Sequence, residues 1–180
     1  MHWRNHGDGW GAVAIALHWL SGLAVFGLFG LGLWMTGLDY YDSWYRKGPD
    51  LHRSIGVLLF IATLFRLLWR FVSPSPPALA SHRPWERLSA RATHALLYLL
   101  LFALMLSGYF ISTADGRSIA VFDWFSLPAT LTGEHQEDLA GEVHRVLAWS
   151  LIGLVALHAG AALKHHFIDR DSTLRRMLGL

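Results

Sequence analysis

The sequence predicts an all-α integral membrane protein, a bundle of four spanning helices. Three observations lead to this fold class. Apolar residues make up 53% of the 180-residue chain, and its mean hydropathy of +0.34 is too high for a typical soluble domain. Four apolar runs are long enough to cross a bilayer. The last of them, 142–167, carries two histidines inside or at the edge of the span.

The composition excludes several kinds of chemistry. The chain has no cysteine, which rules out disulfides, cysteine-ligated iron–sulfur clusters and covalently attached c-type heme. The formal charge of +2 arises from basic residues in loops and at helix ends, without the basic and aromatic patch of a nucleic-acid-binding protein. We therefore expect a single domain, 1–180, that contacts membrane lipid and no nucleic acid.

The membrane topology follows from the position of the spans and of the basic residues. The predicted spans are 13–36, 55–72, 92–113 and 143–167. Four crossings return the C-terminus to the side of the N-terminus. Lysine and arginine are concentrated in the N-terminus, the 70–91 connection and the tail from 164, and are sparse in the 37–54 and 114–142 loops. The positive-inside rule predicts that both termini are cytoplasmic.

The first two spans each carry one histidine near an end. His18 lies just inside the cytoplasmic edge of the first span and is followed by glycines at 22, 27, 30 and 32. Small residues admit either a flat macrocycle or a neighbouring helix, and both explanations remain open. His52 lies at the outer start of the second span. Arg66 lies fourteen residues later, on the same helix face and near the cytoplasmic side.

The connection after the second span is proline-rich and basic, and we expect its His82 to be a solvated loop residue. The third span opens with His94, again near the cytoplasmic side. The long outer loop 114–142 is acidic, typical of a solvated surface. Within it, Trp124, Phe125 and Leu127 are expected to form a short interfacial segment that covers the outer end of the bundle.

The fourth span carries His144 and His158 on one face. Fourteen residues at about 100° each fall about 40° short of four turns, and the two side chains are roughly 21 Å apart along the axis. His165 returns to nearly the same face at the cytoplasmic end and is a candidate contact for a quinone. The tail after it is basic and is expected to rest on the inner leaflet.

Histidines inside a membrane helix need partners, because an unpartnered polar ring in lipid costs several kcal/mol. Hydrogen bonds across the bundle would satisfy a single histidine without any cofactor. Zinc would need more ligands close together, with cysteine or carboxylate nearby, and no span brings such a cluster. Heme iron needs only two axial imidazoles from facing helices.

Depth in the membrane sorts the histidines into two pairs. His52 and His144 lie near the outer face, and His18 and His158 lie deeper toward the cytoplasm, with His94 as an alternative to His18. Each pair would hold one six-coordinate heme b, which favours electron transfer over oxygen binding. Two hemes about 20 Å apart would form a transmembrane path for electrons.

Three arginines accompany these histidines. Arg53 and Arg145 directly follow two of the expected ligands and are candidates to balance propionate charge near the outer heme. For Arg66 three roles remain open: snorkelling to the inner interface, pairing with a heme propionate, or holding a quinone head group.

The histidine motifs resemble the bacterial cytochrome b561 family over nearly the whole chain. Motif order, spacing and chain size all agree, although hydrogenase and formate dehydrogenase cytochrome subunits share the four-helix scheme. The matching segments are Ala16-Leu17-His18-Trp19, His52-Arg53-Ser54-Ile55-Gly56, Arg66-Leu67-Leu68-Trp69-Arg70, His94-Ala95-Leu96-Leu97-Tyr98, His144, the run from His158 to His166, and the tail from Asp171 to Met177.

The resemblance implies a di-heme cytochrome of the bacterial inner membrane, whose heme iron is ligated at positions matching His18 with His158 and His52 with His144. It also implies a superoxide:ubiquinone oxidoreductase, or superoxide oxidase. Superoxide would give its electron on the periplasmic side, and ubiquinone would be reduced near the cytoplasmic side, at the position of His165. The acidic outer loops should repel superoxide unless basic residues focus it locally, and the candidates are Arg46, Lys47, Arg53 and Arg145.

Two other functions remain open. One is a di-heme subunit that anchors a periplasmic dehydrogenase or hydrogenase and passes its electrons to quinone. This function predicts a stable donor protein that covers the outer loops. The other is a structural four-helix protein whose histidines are only hydrogen-bonded, in which case the purified protein would be colourless.

Overall fold

Four long helices dominate the structure, a computed structural model that describes residues 2–7 and 9–180. Helices α1 to α4 are long and apolar enough to cross a membrane, which confirms the predicted four-helix membrane fold. In chain order the elements are α1 (Ala12–Met35), α2 (Lys47–Val72), α3 (Pro84–Ser112), β1 (Ile119–Val121), β2 (Phe125–Leu127), α4 (Gln136–Phe167) and α5 (Thr173–Leu178).

Helices α2, α3 and α4 begin seven or eight residues before the predicted spans. The first two turns of each of these helices are polar, so a prediction based on apolar runs does not include them. At the start of α3, Pro84 occupies the first helical turn and the Arg83 backbone N–H donates to the Glu86 carboxylate at 2.8 Å. Such a start is stable outside lipid because a side chain satisfies a backbone group that the helix leaves free.

The outer loop contains a short β-hairpin that the sequence did not predict as strands. β1 pairs with β2 in antiparallel register. The hairpin packs on the start of α2, where the Phe122 backbone N–H donates to the Ser54 hydroxyl at 3.2 Å and that hydroxyl donates to the Ala120 carbonyl at 3.4 Å. Ser54 and Val121 are both buried. This contact, two residues beyond His52, is made by β1 and Phe122, which precede the expected covering segment.

The helices associate as two closely packed pairs, α1 with α2 and α3 with α4. A small apolar cluster of Val25, Leu59 and Leu151 joins the pairs in the middle of the bundle. Each of these three residues follows a histidine of its own helix by seven positions. Seven residues rise about 10.5 Å along a helix, so this apolar layer lies between two levels of histidine.

The outer faces of the helices are apolar and uncovered by protein. Leu23, Phe71 and Leu157 are each more than 70% exposed. A soluble protein would bury such side chains, whereas a bilayer accommodates them while the helices satisfy their own backbone hydrogen bonds. These faces contact membrane lipid.

Both chain termini lie at the same end of the bundle, together with the α2–α3 connection. The Asn5 amide donates to the carbonyls of Ser73 and Pro74 at 3.0 and 2.9 Å. At the C-terminus, the Trp19 indole N–H donates to the Met177 carbonyl at 2.9 Å. These contacts agree with the four predicted crossings.

Candidate functional site

The structure brings together both histidine pairs that were predicted from depth. The ring centres of His52 on α2 and His144 on α4 are 6.3 Å apart. Those of His18 on α1 and His158 on α4 are 6.1 Å apart. A metal ion held between two imidazoles on opposite sides requires two metal–nitrogen bonds of about 2 Å each plus the distance from each nitrogen to its ring centre, about 6 Å in all. Both separations fit such an ion.

His94 also reaches the second pair, but at a shorter distance. Its ring centre lies 5.3 Å from that of His158, closer than the His18–His158 separation of 6.1 Å. The His94–His158 separation is shorter than a metal ion with two axial imidazoles needs, about 6 Å. Of the two candidates, His18 has the spacing that accommodates a metal.

Hydrogen bonding sets the tautomer of His144. Its Nδ1 lies 3.0 Å from the Leu104 carbonyl and 2.9 Å from the Ser107 hydroxyl. Because a carbonyl only accepts, the proton of a neutral His144 ring lies on Nδ1 and the lone pair lies on Nε2. This is the tautomer in which metal-ligating histidines are usually held.

Two glycines let the outer imidazoles lie directly against a neighbouring helix. A Cβ at Gly32 would come within 3.3 Å of His52 Cε1, and a Cβ at Gly108 within 3.2 Å of His144 Cε1. His52 Nδ1 is buried and, among the described residues, has no hydrogen-bond partner. The sequence analysis included Gly32 among the small residues of α1 but did not identify Gly108. Gly108 lies fourteen residues after His94 on α3, a spacing that could have indicated it.

Each imidazole pair spans the interface between the two helix pairs. His52 and His18 belong to the α1–α2 pair, and their partners His144 and His158 belong to α4. A planar group between the rings would therefore occupy the interface where the bundle packs least closely. These residues fit heme, which needs two axial imidazoles from facing helices and a flat space between them.

Arg66 faces the interior of the bundle. Its guanidinium donates to His18 Nδ1 at 3.2 Å and lies 5.8 Å from the centre of the Tyr98 ring. Arginine is only a donor, so His18 Nδ1 acts as the acceptor in this arrangement. These contacts keep the guanidinium inside the bundle. They disfavour one of the three roles considered for Arg66, snorkelling to the inner interface.

The two arginines beside the outer pair are already paired with carboxylates. Arg53 contacts Asp50, and Arg145 contacts Glu142 at 2.6 Å, in each case three residues away on the same helix. All four side chains are exposed. The carboxylates offset much of the positive charge that the sequence placed at this end of the bundle.

At the end of the bundle where the termini lie, His165 lies close to Asp171, six residues later, and to His82, which is distant in sequence. Its Nδ1 is 3.0 Å from Asp171 Oδ2, and its ring centre is 4.6 Å from that of His82. His82 Nε2 is also 3.0 Å from Asp171 Oδ2, and the His82 side chain is only 14% exposed. The prediction that His82 is a solvated loop residue is wrong, because the tail folds back over the connection.

Asp171 is ionised in this cluster. Burial opposes its charged form, but hydrogen bonds from Thr173 and His82 and the charge of His165 outweigh that effect and lower the pKa of the Asp171 carboxyl to about 2. The cluster therefore contains a fixed negative charge at neutral pH.

Comparison with known sequences agrees with this geometry. The sequence model described as prokaryotic cytochrome b561 matches residues 9–180. The chain belongs to this family. It is a b-type heme cytochrome of electron transport, an oxidoreductase-type protein that crosses a bacterial membrane several times.

Three relatives illustrate the similarity of this cytochrome to known proteins. Cytochrome b561 homolog 2 of Escherichia coli (strain K12) is 54% identical over 180 residues, 99% of this chain and 96% of that protein. Cytochrome b561 homolog 1 of the same organism is 28% identical over 91% of this chain and 93% of its own length. A Yersinia pestis protein named probable superoxide oxidase CybB is 29% identical over 91% of this chain and 92% of its own length.

The close contact at Gly108 gives a first prediction. A Gly108→Val substitution should displace the His144 ring and lower the heme bound per chain by up to about half, because one of the two imidazole pairs loses its geometry. Heme per chain is measured by pyridine hemochrome absorbance of the detergent-purified protein. Gly153→Val is the matched control, since a Cβ at exposed Gly153 meets nothing within 4 Å in the described part of the chain. A Gly108→Val protein with wild-type heme content contradicts the packing described above.

Proposed function

We propose that this cytochrome carries electrons across the bacterial inner membrane between two b hemes, oxidising superoxide on the periplasmic side and reducing ubiquinone near the cytoplasmic side. The observation that carries the proposal is the presence of two imidazole pairs, with separations of 6.3 and 6.1 Å. Their α4 members, His144 and His158, are roughly 21 Å apart along the helix.

The histidines are proposed to act only as ligands. His52 and His144 hold the outer heme, and His18 and His158 hold the inner one. When bound, each heme supplies reversible one-electron chemistry at its iron. Two imidazoles for each iron would leave no position for oxygen to coordinate, which favours electron transfer.

The apolar layer between the two sites has a separate role. Val25, Leu59 and Leu151 are buried together at mid-height, where they exclude water from the space between the histidine pairs. An ion in this layer would be costly to accommodate. The layer therefore lets charge cross the bundle as electrons rather than as protons.

Arg66 and His165 are proposed to serve the inner side. If His18 held the iron through Nε2, the proton of its neutral ring would lie on Nδ1, which could then not accept a hydrogen bond from Arg66. We expect Arg66 to turn to a heme propionate, for which a guanidinium is a good partner. His165 Nδ1 lies 3.0 Å from Asp171, and we propose that its Nε2–H donates a hydrogen bond to a ubiquinone carbonyl.

Superoxide is proposed as the donor because of the similarity to the Yersinia pestis protein named probable superoxide oxidase CybB. Two superoxide ions would lose one electron each and become dioxygen, and one ubiquinone would take up both electrons and two protons. Arg53 and Arg145 adjoin the outer ligands and are the proposed anion-attracting groups.

The ligand assignment predicts which substitutions remove heme. His52→Ala or His144→Ala should remove one heme per chain, and His158→Ala the other, because each imidazole is half of an axial pair. His18→Ala should lose the same heme as His158→Ala, whereas His94→Ala should keep both, since its ring is only 5.3 Å from that of His158. Reduced-minus-oxidised spectra and heme per chain distinguish these results. Retention of two hemes in His158→Ala would refute the assignment.

The donor proposal predicts fast heme reduction by a pulse of superoxide, with rates near the diffusion limit in the wild type. At low ionic strength, Arg53→Gln and Arg145→Gln should slow the reaction about two- to tenfold, and Asp50→Asn and Glu142→Gln should speed it by a similar factor. These differences should shrink at high salt. Arg91→Gln, at the opposite end, is the control for net charge.

Two results of the same pulse experiment would count against superoxide as the donor. One is slow heme reduction in the wild type. The other is equal rates for all of the charge variants. Slow reduction together with a co-purifying periplasmic dehydrogenase that reduces the hemes rapidly would favour the anchoring-subunit function instead.

The proposed orientation can be tested because the natural chain has no cysteine. Glu134→Cys places a single thiol on the outer loop, and Ala78→Cys places one on the α2–α3 connection, both at exposed positions. A membrane-impermeant maleimide should label the first in intact spheroplasts and the second only after permeabilisation, because the connection lies on the basic side. The reverse labelling pattern would show that the termini are periplasmic.

A further inference from the structure

We propose that His82, His165 and Asp171 form a binding site for a divalent transition-metal ion of the zinc class, at the end of the bundle where both termini lie. The site is separate from the four histidines proposed to hold heme, but it shares His165 with the proposed ubiquinone contact. It joins the α2–α3 connection, the last turn of α4 and the turn that precedes α5.

The three donor atoms are already close to the arrangement that such an ion requires. His82 Nε2 and His165 Nδ1 each lie 3.0 Å from Asp171 Oδ2, and all three atoms lie within 4.8 Å of one another. A tetrahedral zinc ion with bonds of about 2.0–2.1 Å holds its ligand atoms about 3.3 Å apart. Shifts of a few tenths of an ångström would bring the two Asp171 contacts to that spacing.

The surroundings hold these side chains in place before any metal arrives. The Thr173 backbone N–H donates to Asp171 Oδ1 at 2.8 Å, which leaves Oδ2 directed toward the two imidazoles. The side chains of His82 and His165 are each 14% exposed and that of Asp171 is 10% exposed. Side chains that are already ordered lose little conformational freedom when they bind an ion.

Charge distinguishes this cluster from a second group nearby. Glu86, His165 and Asp169 also come close together, and His165 Nδ1 lies 2.8 Å from Asp169 Oδ2. Lys164, however, lies 3.0 Å from Glu86 and 2.6 Å from Asp169. An ammonium group therefore already neutralises those carboxylates. Within residues 2–7 and 9–180, the ion pairs of Asp171 involve the two imidazoles alone, so a metal ion would displace no lysine or arginine from it.

The donor set indicates the class of metal. Two imidazole nitrogens and one carboxylate oxygen suit zinc and its neighbours in the first transition series. Calcium and magnesium prefer sites made of oxygen ligands. Three protein ligands would leave one position of a tetrahedral zinc ion for water. Imidazoles bind metal only when neutral, so the affinity should rise with pH.

The test is a zinc titration of the heme-loaded, detergent-purified protein, prepared without a polyhistidine tag. Isothermal calorimetry should show one Zn²⁺ bound per chain with a Kd below about 10 μM, and no comparable binding of Mg²⁺. His82→Gln and Asp171→Asn should each weaken binding at least about tenfold, since each removes one of three ligands. Two matched controls, His166→Gln in the next position of α4 and His135→Gln at the other end of the bundle, should bind zinc as the wild type does.

Absorption at the zinc K-edge gives a second measurement, because it reports zinc alone even when heme iron is present. The wild type should show zinc with nitrogen and oxygen ligands, including two imidazoles.

Absence of saturable zinc binding up to about 1 mM, or unchanged affinity in both His82→Gln and Asp171→Asn, would overturn the proposal. If one variant fails to fold, as judged by its heme spectrum, the other variant and the wild-type zinc spectrum still decide. Binding of zinc is measured independently of superoxide and ubiquinone, so it can succeed or fail separately from the proposed function.

Discussion

The structure depends on one constraint, which is that an imidazole buried among membrane-spanning helices must have a partner. On α4, this constraint applies at two depths, to His144 and to His158. Apolar Leu151 lies between them, seven residues or about two helical turns from each. The neighbouring helices follow the same interval, so their side chains form three levels. The outer level is Gly32, His52, Gly108 and His144, the middle level is Val25, Leu59, Leu101 and Leu151, and the inner level is His18, Arg66, His94 and His158.

Each level has a distinct environment. At the outer level, the Leu104 carbonyl fixes the proton on Nδ1 of His144, while glycines keep the neighbouring backbones close to the rings. At the inner level, Arg66 donates to His18 Nδ1 instead, a hydrogen bond that would be lost if His18 held iron through Nε2. In the proposed di-heme protein, His144 thus already has the tautomer of a metal ligand, whereas His18 would exchange one hydrogen bond on binding heme. The two proposed heme sites therefore have the same type of ligand but different neighbouring groups, the Leu104 carbonyl at the outer site and Arg66 at the inner site.

Local patterns predicted the spans and the histidine pairs, because hydropathy and helical periodicity act within one segment. They could not predict features that depend on contacts between distant segments. His82 was expected to be solvated, yet it meets Asp171 across 89 positions because the tail folds back over the α2–α3 connection. The hairpin at Val121 forms where a buried serine of α2 bonds to it. The contact between Gly108 and His144 likewise needed the packing of α3 on α4.

The most direct test of the account is a dithionite-reduced minus oxidised spectrum of the detergent-purified protein, with heme quantified per chain. The separations of 6.3 and 6.1 Å between facing imidazoles predict two b-type hemes per chain. A single heme per chain would show that one pair is only hydrogen-bonded and that the path across the membrane is incomplete. A colourless protein would contradict the account of both pairs.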